Sequence, residues 1–492
     1  MEKENFFTKA IPETEGISSR AILRLLTRLQ EREFCIHGMM ILRKGKVLAE
    51  AYAPPFSLDV CHRMYSITKS FTALGIGCLV QEGKVHLEDP IVSFFQDQKP
   101  IEGFHPYLLR TTVRDLLRMT TPFSCTSYRF PNKRLRTPEK WLQTFFTVKP
   151  DHLPGTVFGY DTAGTYVLGA LIERLSGRPL LDYLRFAFLD KIGFSKEAQC
   201  LKSPEGISHG GSSLVCTLRD LARVAVLCLN GGIWDGEQLL PANYLKDATS
   251  FQTNTNMMSN GVDMRQGYGY YFWRCRHNGF FMYGMGGQLA LCLPEKDLIF
   301  LTMGDTQWQE DWLQEYFSAF WEEIYDTLID APLPEDLEGN RLLEKKIQEM
   351  KIPTIPGVQD HPNAMRINGK IYCIEKENSM NLQTVCLFFK GKSGEFHYKK
   401  HGKNYQINFE IGNFIRGKFP DYPQDYLCSA AWQKDGSLIL LCYIIGDYLG
   451  SLHIQFFFTQ NGEITIQMKK VAEDFLMDYE GITNGWDMET MH

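Results

Sequence analysis

The 492-residue chain is 44% hydrophobic, enough to bury the cores of two domains. A net charge of −6 and a pI near 6.1 give no basic footprint of the kind that binds nucleic acid or a membrane surface. The longest apolar stretches fall far short of the roughly 20 residues that span a bilayer. In chain order, residues 36–52 alternate around Lys44-Gly45-Lys46 and predict a β-hairpin. Met64-Tyr65-Ser66-Ile67-Thr68-Lys69 then opens an apolar stretch that predicts a buried helix with Gly83 as its C-cap. A threonine-capped helix follows over 111–119. Pro154-Gly155-Thr156 is a turn that delivers Tyr160 to a helix over 164–176, closed by Gly177. Residues 218–229 predict a further helix, stopped by Asn230-Gly231-Gly232. Strands are expected over 267–273, 279–283, 288–293 and 298–303, before an amphipathic helix over 312–329. Strands at both ends enclosing a helical middle describe an α+β domain over residues 1–330, an antiparallel sheet flanked by helices.

The character changes after Asp330. Pro332, Pro334, Pro353, Pro356 and Pro362 mark residues 331–365 as a linker with one charged helix near 337–350. Residues 366–492 form the second domain, and the chain to 470 is almost all strand signal, over 370–375, 384–390, 394–399, 405–411, 438–444, 452–459 and 463–468. Tight turns such as Asp435-Gly436 and Asn461-Gly462 join them, as in an antiparallel barrel or sandwich.

Ser66 and Lys69 carry the chemistry. Three positions apart on a helix, they share a face within hydrogen-bonding reach. A serine is a poor nucleophile until a neighbour takes its proton, and a desolvated lysine does so. The pair opens the helix, where dipole and free amides favour developing negative charge. Such a site also needs a proton-passing group and two amides for the oxyanion. Tyr160 is the candidate for the first, as a base only if positive charge such as Lys69 lowers its pKa. Met285-Gly286-Gly287-Gln288 is the candidate for the second, because glycines let backbone approach a substrate closely.

Residues from about 36 to 321 resemble the serine β-lactamase and penicillin-recognising superfamily, in its class C-like branch of esterases, D-aminopeptidases and nylon-oligomer hydrolases. Ser-x-x-Lys is a signature of related enzymes. Gly83-Lys84-Val85-His86-Leu87-Glu88-Asp89-Pro90, Thr112 to Thr120, and Gly210-Gly211-Ser212-Ser213-Leu214 through Arg223 are similar to the segments expected after the nucleophile helix. The resemblance implies a β-lactamase/transpeptidase-like fold with a helical subdomain. It implies Ser66 as acylated nucleophile, Lys69 as proton acceptor, Tyr160 as acid/base, and the amides of Ser66 and Gln288 as oxyanion hole. In some relatives an appended β-barrel covers the cleft or mediates assembly, which leaves room for a homo-oligomer here.

Two departures bear on substrate. Where relatives read Tyr-x-Asn, this chain has Tyr160-Asp161-Thr162, and a hydroxyl replaces the amide. Where relatives read Lys-Thr-Gly or His-x-Gly, it has Met285-Gly286-Gly287, without the cation that would hold a substrate carboxylate. An ester or small-amide hydrolase is therefore expected over a β-lactamase. The alternatives are a D-amino-acid peptidase or amidase, with Asp161 recognising an amine, and a penicillin-sensor-like protein that stays acylated. The start, residues 1–7, lacks the pattern of a secretory signal. Thirteen cysteines without a Cys-x-x-Cys pair read as small residues in a reducing compartment, so a cytoplasmic protein is expected. No histidine spacing suits a metal and no glycine loop suits a phosphate, so no cofactor is expected.

Overall fold

A computed structural model describes residues 7–124, 140–257, 261–309, 311–472 and 475–490. Residues 1–6, which make up nearly all of the start considered for an export signal, lie outside the described residues. The chain forms two compact units, Met1–Lys351 and Ile352–His492. Their division falls later than the change of composition after Asp330, because helix Leu337–Gln348 packs on helix Ser19–Glu31 of the first unit. Asn340 Nδ2 donates to Glu13 Oε2 there at 2.9 Å.

The first unit holds a seven-stranded sheet. Its order is Thr8–Lys9, Lys46–Tyr52, Ile36–Arg43, Leu298–Gly304, Gln288–Leu293, Phe280–Gly284 and Trp273–Arg274. Every pairing is antiparallel except the outermost one, of Thr8 with Lys46. Ile36–Arg43 is buried at every position, so both of its faces are covered. Helix Leu218–Leu229 packs against Gln288–Leu293 and Leu298–Gly304. In the helical part, Ile67–Gln81 is buried from Ile67 to Leu79 and lies against Thr162–Ser176.

Two predicted elements are shorter than their patterns implied. Of residues 267–273 only the end is strand, as Trp273–Arg274, because Tyr271 takes a left-handed φ of 61° and breaks the extended run. The helix beginning at Trp312 is α-helical to Phe320 and then widens into a π-turn over Trp321–Tyr325. A small three-stranded sheet was unforeseen: His62–Arg63, Leu214–Cys216 and Gln199–Cys200 pair just before the nucleophile.

The second unit is a closed nine-stranded barrel with a short tenth strand, Ile415–Lys418, on its side. Closure comes from a parallel pairing of Glu410 and Ile411 with Ser429 and Ala430. Two barrel strands were not apparent in the sequence, Asp425–Trp432 and Gly481–Asp487. Asp, Ser, Ala, Gly and Asn there are poor strand formers, and cross-strand pairing decides the outcome. The fold is thus the sheet-and-helix domain followed by an antiparallel barrel that the sequence predicted. Among the described residues no helix is long and apolar enough to cross a membrane.

Candidate active site

Ser66 is the N-cap of helix Ile67–Gln81 and stands partly exposed between buried neighbours. A sharp bend puts it there. Tyr65 takes a φ of 45°, a conformation that costs a side chain about 1–3 kcal/mol and persists only where the surroundings enforce it. The enforcement is visible. Met64 N donates to Leu214 O at 2.8 Å, and Thr68 Oγ1 donates to Tyr65 O at 2.6 Å. Leu214 N donates to Thr68 Oγ1 at 2.9 Å, and Arg63 Nε to Ser212 O at 2.6 Å. The small sheet therefore clamps the segment from both sides.

One turn along the helix, Lys69 is 1% exposed. Its Nζ donates to Ser66 Oγ at 3.0 Å and to Gly211 O at 2.7 Å. Thr72 Oγ1 holds the adjacent Gly210 O at 2.8 Å, so the helix grips the 210–211 backbone at two carbonyls. Thr162 borders that backbone: a Cβ on Gly211 would lie 2.7 Å from Thr162 Cγ2. His209 Nδ1 accepts from Gly211 N at 3.3 Å and shapes the same segment.

Tyr160 comes from the loop before helix Thr162–Ser176, placed by Gly159 N donating to Met119 O at 2.9 Å. Its phenol faces Ser66 closely enough for the serine hydroxyl to favour its charged form. Its ring centroid is 5.0 Å from Lys69 Nζ and stacks on Trp273 at 5.8 Å. Trp273, read from sequence as a core strand residue, is thus also a wall of the site. Burial pushes the Tyr160 phenol well above its usual range, and the Ser66 hydroxyl offsets only part of that. Tyr160 rests as a neutral phenol, not as the phenolate that a base at neutral pH would require.

Asp161 is fully buried and caps helix Thr162–Ser176. Ala163 N donates to its Oδ1 at 3.0 Å and Thr121 Oγ1 to its Oδ2 at 3.1 Å. These are the bonds of a helix cap.

The oxyanion turn differs from the sequence reading. Gly284 ends its strand directly against the nucleophile segment, where an added Cβ would lie 2.3 Å from Met64 O. The next residue, Met285, is partly accessible, whereas Gly286 and Gly287 are buried and Gln288 is 0% exposed. Gln288 sits one strand further in, paired opposite Gly284. Its amide lies in a buried strand and is not open to a substrate, whereas Met285, next to Gly284, is partly accessible. The glycine doublet misled because Gly286 and Gly287, at φ of 83° and 106°, make the turn itself. The close approach belongs to the single Gly284. Among the described residues no group of three or more His, Cys, Asp or Glu is arranged to hold a metal.

Comparison with known proteins accords with this geometry. The family model described as Beta-lactamase matches residues 36–307. The 6-aminohexanoate-dimer hydrolase of Paenarthrobacter ureafaciens is 24% identical over 266 residues, 51% of this chain and 67% of that protein. A Bacillus anthracis protein provisionally designated a 6-aminohexanoate-dimer hydrolase superposes with a TM-score of 0.53 at 18% identity, over 64% of this chain and 86% of its own. EstCE1, a hydrolase with promiscuous acyltransferase activity, superposes with a TM-score of 0.51 at 16% identity, over 62% of this chain and 98% of its own.

Proposed function

The chain belongs to the beta-lactamase family, and from that premise we propose that it hydrolyses esters or small amides through an acyl-enzyme on Ser66. The observation that carries this reading is the convergence on Ser66 Oγ of Lys69 Nζ at 3.0 Å and the Tyr160 phenol. As Ser66 attacks a carbonyl carbon, Lys69 takes its proton. The oxyanion forms between the amides of Ser66 and Met285, the first at a helix start and the second at the strand end beside Met64. Loss of one such donor costs about 10²–10³ in kcat. Tyr160, carrying its proton at rest, hands it to the leaving group and recovers one from the water that deacylates Ser66, while Lys69 returns its proton to Ser66 Oγ as the acyl group departs.

Substrate class follows from what borders the turn. Tyr283-Gly284-Met285-Gly286-Gly287-Gln288 contains no cation, and Tyr283 and Met285 are its accessible side chains. A neutral acyl or leaving group suits this lining better than a carboxylate. The name of the Paenarthrobacter relative, a dimer hydrolase, supports a short linear substrate. The Asp161 cap weakens the peptidase reading, since its carboxylate is committed to the helix start.

The test is turnover of p-nitrophenyl esters and anilides, with intact mass after treatment by a fluorophosphonate. Steady turnover, one adduct on Ser66 and loss of both in Ser66→Ala are expected. Full activity in Ser66→Ala would overturn the assignment. A persistent substrate adduct without turnover would favour a sensor.

A further inference from the structure

Gln288, excluded as the oxyanion donor, holds the residue that replaces it. Its Nε2 donates to Met285 O at 2.9 Å and to Gly304 O at 2.8 Å, and its Oε1 accepts from Gly304 N at 3.2 Å. The other two carbonyls of the turn are also tied. Thr306 N donates to Gly286 O at 2.9 Å, and Thr302 Oγ1 donates to Gly287 O at 2.7 Å. All three carbonyls of residues 285–287 are drawn into the protein body.

Peptide planarity gives this arrangement its consequence. Each peptide is a rigid plate, so fixing its carbonyl also fixes the N–H on the opposite edge. Met285 lies between two plates. The one before it, which carries the Met285 N–H, belongs to Gly284 and is paired in the sheet with the backbone of Gln288, and the one after it, which carries the Gly286 N–H, is held by the Gln288 side chain. Both plates flanking the Met285 α-carbon are therefore referenced to Gln288. Only a carboxamide supplies two donors and an acceptor from one side chain; glutamate lacks the donors and methionine lacks all three. Thr302, 0% exposed, anchors the far end of the same turn.

We infer that the buried side chains of Gln288 and Thr302 are positioning groups that preorganise the Met285 amide for the oxyanion. This rests on the acyl-enzyme reading above. Neither side chain touches substrate. They act by removing reorganisation from the moment of reaction, where a preset donor is worth most.

Three variants test this: Gln288→Met, Thr302→Val and the conservative Thr302→Ser. The readouts are kcat and KM for a p-nitrophenyl ester, melting temperature, and the Ki of an arylboronic acid. The tetrahedral boronate on Ser66 places an oxygen where the oxyanion forms, so its affinity reports the hole directly. Gln288→Met and Thr302→Val should lower kcat about 10- to 100-fold with KM within about twofold. The boronate Ki should rise in step with the loss in kcat/KM, and Thr302→Ser should stay near the parent. A purely structural role would lower the melting temperature without a parallel change in kcat and boronate Ki. If Gln288→Met does not fold, the Thr302→Val and Thr302→Ser pair decides. Unchanged kcat and boronate Ki in folded Thr302→Val, with the parent active through Ser66, overturns this inference alone. A parent without Ser66-dependent turnover overturns the hydrolase reading and this inference with it.

Discussion

Gly284→Ala tests the geometry most directly. Gly284 is outside the left-handed region, so alanine meets no backbone penalty there and the effect is steric. The new methyl would lie 2.3 Å from Met64 O and 2.9 Å from Gln288 Cβ. Restoring ordinary contact needs about 1 Å of separation, given the close packing of protein interiors. That distance has two sources. The strand end retreats and takes the Met285 amide with it, or the Met64–Ser66 segment yields and Ser66 moves. Either way nucleophile and oxyanion donor part by about 1 Å, a misplacement that costs about 10²-fold in rate. On the activation barrier this is about 2.7 kcal/mol. Overpacking of this kind costs about 1–3 kcal/mol in stability, so the variant should remain folded. The assay is kcat/KM for a p-nitrophenyl ester beside a thermal melt and the rate of fluorophosphonate labelling. A folded Gly284→Ala with kcat/KM within threefold of the parent would refute the placement of the oxyanion hole at Met285.

Tyr160→Phe should cut kcat by about 10²–10⁴ while leaving the melting temperature near that of the parent, and undiminished turnover would remove Tyr160 from proton transfer. His37 and His62 are buried and hydrogen-bonded at 2.8 Å, and burial holds His62 down to about 4 and His37 well below its ordinary value. The unfolded chain binds these protons from about pH 6.5 downward, while the folded chain does not. The pair should therefore cost stability as pH falls from there toward 4, each histidine by about 1.4 kcal/mol per pH unit. Asp305, pushed up to about 6 by burial, runs oppositely and loses its contribution as pH rises through that value. Melts at pH 7 and pH 5 check this, and the acid loss should shrink in His62→Gln; an equal loss in both would remove His62 from the effect. In the barrel, Lys400, with its side chain 4% exposed, pairs with Asp421, which also accepts from Tyr479 Oη at 2.6 Å. Asp421→Asn leaves that ammonium with only the more distant Asp478 carboxylate, at 4.0 Å, and should cost up to about 3 kcal/mol in denaturant unfolding, partly recovered by adding Lys400→Met. A single variant as stable as the parent would rule the pair out as a stabilising contact.

What could be read from sequence follows the range of the interactions involved. Ser66 and Lys69 are one helical turn apart, so their contact is implied by spacing alone. Tyr160 was identifiable by its order and its turn, and the structure brings it to Ser66. The proposed oxyanion donor, Met285, was not legible. It depends on which strand end abuts Met64, and Gly284 is far from Met64 in sequence. A glycine doublet is the louder local signal, yet Gly286 and Gly287 serve the turn while one glycine at a strand end makes the approach. Asp161 illustrates a different signal. An acid beside Tyr160 looks chemical, but an aspartate immediately before the helix that opens at Thr162 is a cap, and that local signal was available. The strand Asp425–Trp432 mixes strand formers with Asp, Ser and two Ala, so its pattern is weak, and its neighbours pair with it on both sides.

The corrected site also divides the labour within the turn. If the Met285 backbone serves the oxyanion, its side chain is free of that duty and borders the substrate as a thioether. The family resemblance implies that a cation in the corresponding motif would hold a substrate carboxylate there. In this chain the hydrogen bonds that set the amide run through Gln288, Thr302 and Thr306, all behind the turn. Catalytic geometry is thereby anchored by buried residues, while the group presented to the substrate at position 285 is tied down only through its backbone. That separation explains how the chain can keep Ser66, Lys69 and Tyr160 in working arrangement and still lack the cation that penicillin chemistry uses. On the proposed reading, acyl transfer would rest on the helix start and strand end, and substrate choice on what the turn displays.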